Sequence, residues 1–74
     1  MQITVKLFAN FRINRFKEQV RQYPTGTRVV DISSELDIPE SEVGIIFING
    51  RNAALGTSLA DGDTLSLFPL VGGG

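Results

Sequence analysis

The chain has 74 residues, 42% hydrophobic and 20% charged, with a formal net charge of −1; it reads as one small globular domain that buries about 60% of its unfolded surface and has no room for a deep catalytic pocket. It contains no cysteine and no histidine, which excludes thiol nucleophiles, disulfides, zinc sites and the usual general base near neutral pH together. No apolar run reaches the roughly 18 residues of a spanning helix, and strand-like alternation stands where a signal peptide would, so the expectation is a cytoplasmic protein with no membrane partner.

Residues Gln2 to Ala9 alternate, with Ile3, Val5 and Leu7 on one face and Gln2, Thr4 and Lys6 on the other, the pattern of a half-buried strand. Phe8 falls on the polar face, where a ring needs a cover or a partner. Asn10 to Arg15 reads as a polar loop and Phe16 to Tyr23 as a returning strand, in which Val20 and Tyr23 share a face only across a bulge. Pro24-Thr25-Gly26-Thr27 is a turn by composition. Val29, Ile32 and Leu36 then form a stripe at i, i+3 and i+7, a helix of two turns that depends on packing because Ser33 and Ser34 are mediocre helix formers. It should end before Pro39, which biases Ile38 away from helical geometry, and Pro39 to Glu42 can add a single turn.

Val43 to Ile48 is an almost continuous apolar run rich in β-branched residues, as in a strand covered on one face and partly on the other. Asn49-Gly50 is a strong hairpin signal, predicting a short returning strand over Arg51 to Leu55. Gly56 to Ala60 is a loop, and Asp61-Gly62-Asp63 is a tight turn rather than a calcium loop, whose other ligands are missing. The last strand, Thr64 to Phe68, must stop at Pro69, which cannot donate to a ladder. Strand, strand, helix, strand, short strand, strand describes an α+β protein of the β-grasp type: a mixed sheet of four or five strands, the first and last parallel at its centre, with one helix across it. Leu65 and Leu67 would face the helix with Ile3, Val5 and Leu7, leaving Phe68 to share the outer face with Phe8.

Charge is unevenly spread. Lys6, Arg12, Arg15, Lys17, Arg21 and Arg28 precede nearly all the acids, but no interleaved aromatics suggest nucleic acid, so a solvated basic hairpin is the expectation. After Pro69, Leu70-Val71-Gly72-Gly73-Gly74 has little to bury. A domain over 1–70 and a flexible tail over 71–74 follow, since glycine loses the most entropy on ordering. Extended, the last five residues reach about 17 Å, enough to enter a partner's active site and present the terminal carboxylate.

Three ordered motifs carry a family resemblance: Val43-Gly44-Ile45-Ile46-Phe47-Ile48-Asn49-Gly50-Arg51, Leu59-Ala60-Asp61-Gly62-Asp63-Thr64-Leu65, and Phe68-Pro69-Leu70-Val71-Gly72-Gly73-Gly74. They closely resemble the small sulfur carrier proteins MoaD and ThiS, relatives of ubiquitin, and Val5-Lys6-Leu7-Phe8-Ala9-Asn10-Phe11-Arg12 resembles the start of MoaD. Leu70 stands where a typical MoaD-like tail has a second proline, and three glycines stand where many members have two. The resemblance implies that the chain is not an enzyme and binds no cofactor. It implies instead that an ATP-dependent activating enzyme of the MoeB or ThiF type adenylates the Gly74 carboxylate, that a sulfur donor makes the thiocarboxylate, and that a synthase accepts the sulfur. That synthase would be the large subunit of molybdopterin or tungstopterin synthase or, as a variant, thiazole synthase in thiamine synthesis.

Val71, Gly72 and Gly73 would thread the partner's channel, and Phe8, Phe68 and Leu70 would meet its surface. The carrier would be a monomer when free. A protein modifier joining Gly74 to lysines, and a binding module with an inert tail, are the competing readings.

Overall fold

The alternation of the first strand decides where the sheet is buried. In the computed structural model, which describes residues 1–70, strand β1 (Gln2–Leu7) buries Ile3, Val5 and Leu7 completely and leaves Gln2, Thr4 and Lys6 on the other face. The tail over 71–74, with Val71, Gly72, Gly73 and Gly74, lies outside the described residues. Strand β5 (Thr64–Pro69) runs parallel to β1, pairing Val5 with Leu65 and Leu7 with Leu67, so both apolar sets meet on one face. The five-stranded sheet has the order β2-β1-β5-β3-β4, with β2 (Glu18–Gln22), β3 (Val43–Ile48) and β4 (Arg51–Asn52) all antiparallel to their neighbours. This is the β-grasp order expected from the sequence.

Helix α1 (Val29–Glu35) buries Val29 and Ile32 in the same cluster as the inner face of the sheet. Ser33, also fully buried, donates its hydroxyl hydrogen to the Val30 carbonyl at 3.1 Å, which removes the penalty of an unpaired polar group. The helix ends through paired backbone bonds, Asp37 N–H to the Ser34 carbonyl at 3.0 Å and Ile38 N–H to the Ser33 carbonyl at 2.9 Å, with Asp37 in the left-handed region at φ 58°. This is a Schellman stop, reached before Pro39 as predicted. Leu36 of the expected stripe sits past the last helical residue and is half-buried.

Three local expectations are corrected. The return strand needs no bulge, because β2 pairs regularly with β1 and Val20, opposite Thr4, points outward and is exposed. The loop after β1 contains a 3₁₀ turn (Ala9–Arg12) that turns Phe11 back into the core. The fourth strand covers Arg51 and Asn52 rather than extending to Leu55. Its missing half has other work: the Leu55 and Thr57 carbonyls accept the Val30 and Val29 amides at 2.9 and 3.1 Å. These are the unpartnered donors at the start of α1, and the segment leaves the sheet to satisfy them.

Candidate functional site

The outer face of the sheet is polar along most of β1 and becomes aromatic at its end. Parallel pairing of Lys6 with Ser66 and Leu7 with Leu67 carries the next residues, Phe8 and Phe68, side by side. Their rings stack with centroids 4.1 Å apart and planes 12° from parallel. Phe47 of β3 meets Phe68 edge-on at 5.7 Å, an arrangement that the ring quadrupoles favour. Ile45, paired across strands with Phe68, is 42% exposed, and Leu70, just past the end of β5, is 60% exposed. Phe8, Phe47 and Phe68 are half-buried, each leaving part of its ring open.

Sequence reasoning placed Phe8 and Phe68 together, and the structure does so. It missed Ile45 and Phe47, because a continuous apolar run does not say which residues face outward. It also missed Arg12. The loop after β1 reaches one edge of the patch: Arg12 sets its guanidinium carbon 5.2 Å from the Phe8 centroid while its Nε donates to the Leu7 carbonyl at 2.7 Å. The result is an apolar patch with a fixed cation on one rim, the composition of a protein-binding surface.

The patch surrounds the place where the chain leaves the sheet. Pro69 is the last residue of β5 and pairs with Val43, and the Leu70 N–H donates to the Glu42 carbonyl at 3.0 Å. A shallow hollow of about 170 Å³ beside this root is lined by Asn10, Ser41, Glu42, Pro69 and Leu70. Three ion pairs lie elsewhere among the described residues, Lys6 with Glu18 within the hairpin, Arg21 with Glu35 from the hairpin to α1, and Arg28 with Asp31 at the start of α1. Both carboxylates of the Asp61-Gly62-Asp63 turn accept backbone amides, from Gln2 and Ala60. No cluster of acids that could hold a metal occurs among the described residues, nor does any described helix have the length and apolarity to cross a membrane. The described part of the site offers an apolar surface with a cation on its rim and holds no catalytic constellation. Val71, Gly72, Gly73 and Gly74 lie outside the described residues.

Comparison with known proteins sharpens this geometry. A family model described as the ThiS family matches residues 5–74. Among solved structures, a Pyrococcus furiosus protein assigned as subunit 1 of a molybdopterin converting factor is 30% identical, with a TM-score of 0.76 over 96% of this chain and 99% of its own. Small archaeal modifier protein 1 of Haloferax volcanii is 27% identical, with a TM-score of 0.75 over 95% of this chain and 98% of its own. A Helicobacter pylori complex of subunits 1 and 2 of molybdopterin-converting factor contains a chain 23% identical, covering all of both chains at a TM-score of 0.65, a likeness of fold. Comparison with curated proteins gave no match.

Proposed function

The chain belongs to the ThiS family, and from that premise we propose that it is a sulfur carrier whose reacting group is the carboxylate of Gly74. The observation that carries the reading is the match running through residue 74, combined with an apolar patch gathered at the root of that same tail. A carboxylate with a pKa of about 3.5 is ionised at neutral pH and resists attack, so it must first be activated. One carboxylate oxygen attacks the α-phosphorus of ATP on an activating enzyme, and pyrophosphate leaves. A hydrosulfide equivalent from a sulfur donor then attacks the acyl carbon, and AMP leaves with the C–O bond electrons. The thiocarboxylate sulfur is the nucleophile passed to a synthase.

In this scheme Gly72 and Gly73 fit a narrow channel because they have no Cβ, while Val71 and Leu70 line its mouth. Phe8 and Phe68, with Phe47 and Ile45, dock on the partner's surface, and the partner supplies the catalytic groups. The description of the Pyrococcus relative favours a pterin cofactor as the destination of the sulfur over thiazole synthesis. That of the Haloferax relative favours a second reading, in which the activated Gly74 is joined to lysines of other proteins. Either chemistry would proceed in the cytoplasm, where ATP is available.

Intact-mass measurement separates the readings. Incubated with ATP, a MoeB- or ThiF-type activating enzyme and a sulfide source, the chain should gain the mass of one sulfur-for-oxygen exchange. Higher-mass lysine adducts without that exchange would favour the modifier reading, and neither product would remove both. Phe68→Glu should slow the exchange while the variant still unfolds cooperatively; if it is simply unfolded, Phe68 is a core residue.

A further inference from the structure

Strand β3 has one residue more than β5 across their pairing, since Val43 faces Pro69 and Ile45 faces Phe68, so Gly44 lies in a bulge. A Cβ on Gly44 would lie 2.7 Å from the Pro69 carbonyl oxygen and 2.9 Å from both N and Cα of Leu70. All three atoms are backbone, so no rotamer change relieves the collision and one strand must move. Gly26, Gly50 and Gly62 instead have φ of 94°, 78° and 86° with open space around them. Their backbone needs glycine, whereas Gly44 has no left-handed φ and its place needs only the room.

That room is spent on the root of the tail. With Gly44 bare, the backbone of Pro69 and Leu70 lies directly against β3, and the Leu70 N–H reaches the Glu42 carbonyl at 3.0 Å. A chain released at Pro69 could leave the sheet in many directions. Held through Leu70, it has one fixed point of departure. Leu70 is also an amide donor at the position where, by resemblance, a typical tail carries proline.

Resting on the sulfur-carrier reading, we propose that Gly44 is a positioning residue for the reaction: the missing side chain sets the origin and direction from which the Gly44-facing backbone delivers the tail to the activating enzyme. The patch supplies affinity and Gly44 supplies aim. Loss of aim lowers kcat, since displacement of about 1 Å at a reacting centre can cost up to about 100-fold in rate, whereas loss of the patch raises KM.

The test uses the full chain and Gly44→Ala. In the wild type, the Leu70 amide should exchange with solvent at least about tenfold more slowly than an unpaired amide, and in the variant that protection should vanish while Leu65 and Leu67 stay protected. In ATP-dependent pyrophosphate release with the activating enzyme, kcat of Gly44→Ala should fall about tenfold or more, with KM within about twofold. An unprotected Leu70 in the wild type overturns the proposal, as does global unfolding of Gly44→Ala, which would make Gly44 a folding residue. Normal kcat in a folded Gly44→Ala sinks the positioning role and leaves the carrier reading standing. A wild-type chain that is never adenylated sinks both.

Discussion

Tyr23 shows how one side chain joins two elements and makes its contribution to stability depend on pH in alkali. Its hydroxyl donates to Glu35 Oε1 at 2.7 Å and accepts from Arg21 Nε at 2.8 Å, connecting the end of β2 to the end of α1. Burial, reinforced by the bond to Glu35, pushes the phenol up from 10.0 to about 12. A folded value above the unfolded one contributes stability that is fully present below pH 10 and is lost as pH rises through about 12. Melting temperature followed by circular dichroism should therefore fall more steeply between those limits in the wild type than in Tyr23→Phe; parallel curves would mean that another group titrates. Asp31 works in the opposite sense. The Arg28 amide, donating at 2.8 Å, holds its carboxyl below the ordinary 3.8, so its contribution is present above that value and is lost as pH falls through the lower folded one. Melting curves of wild type and Asp31→Asn should differ at neutral pH and converge in acid. Phe8 was legible as a functional residue from sequence because a ring on a polar face breaks the alternation. Gly44 was not, because a glycine inside Val43 to Ile48 looks like any weak strand position until the register of β5 is known.

Elements were legible wherever a single periodicity governed them. Strands β1, β3 and β5 and helix α1 follow from alternation, apolar runs and the i, i+3 stripe, and the Asn49-Gly50 turn from its residues: both have positive φ, and the Asn49 side chain ties Thr64 and Asp63 by bonds of 2.9 and 2.8 Å. What stayed hidden was the use of one element's backbone to satisfy another's. No local pattern announces that residues 53–57 will cap a helix about two dozen positions earlier. Arg15 is the same kind of case, since in sequence it is one more hairpin cation. In the fold its Nε and Nη2 donate to the Leu36 and Asp37 carbonyls at 2.8 and 3.1 Å, and its Nη1 to the Phe11 carbonyl at 3.1 Å. It clamps the end of α1 to the 3₁₀ turn that carries Phe11 and Arg12. Arg15→Met keeps the aliphatic stem and removes all three bonds, and should cost about 1 to 2 kcal/mol, given partial exposure. For a domain of this size that lowers the melting temperature by about 4 to 16 °C. A loss below about 0.5 kcal/mol in denaturant titration would show that water replaces the clamp.

At the scale of the molecule, one sheet divides two duties between its faces, and adjacent residues of β5 show the division. Leu67 is fully buried, and its truncation to alanine should remove about 2 to 5 kcal/mol of a total that small domains hold at about 5 to 15. Phe68, one residue on, belongs to the aromatic patch on the other face, the surface proposed to meet a partner. Beyond both, the core ends: no residue after Leu67 belongs to the buried cluster among the described residues. An alteration of the chain end is therefore expected to leave the buried cluster of the described residues intact, which makes it the most direct test of the proposed chemistry. One residue added after Gly74 moves the carboxylate by about 3.4 Å and puts a side chain where the proposed channel admits none. Near-attack geometry tolerates a small fraction of that displacement. An alanine-extended chain should melt at the wild-type temperature and form no thiocarboxylate by intact mass. Removing Gly74 instead leaves a two-glycine ending, and partial activity is expected there, since the carboxylate then falls short by the same distance. Sulfuration of the extended chain at the normal rate with its alanine still attached would refute a reaction confined to Gly74. If the alanine is removed before sulfur appears, Gly74 remains the reacting residue and a processing protease becomes part of the cycle.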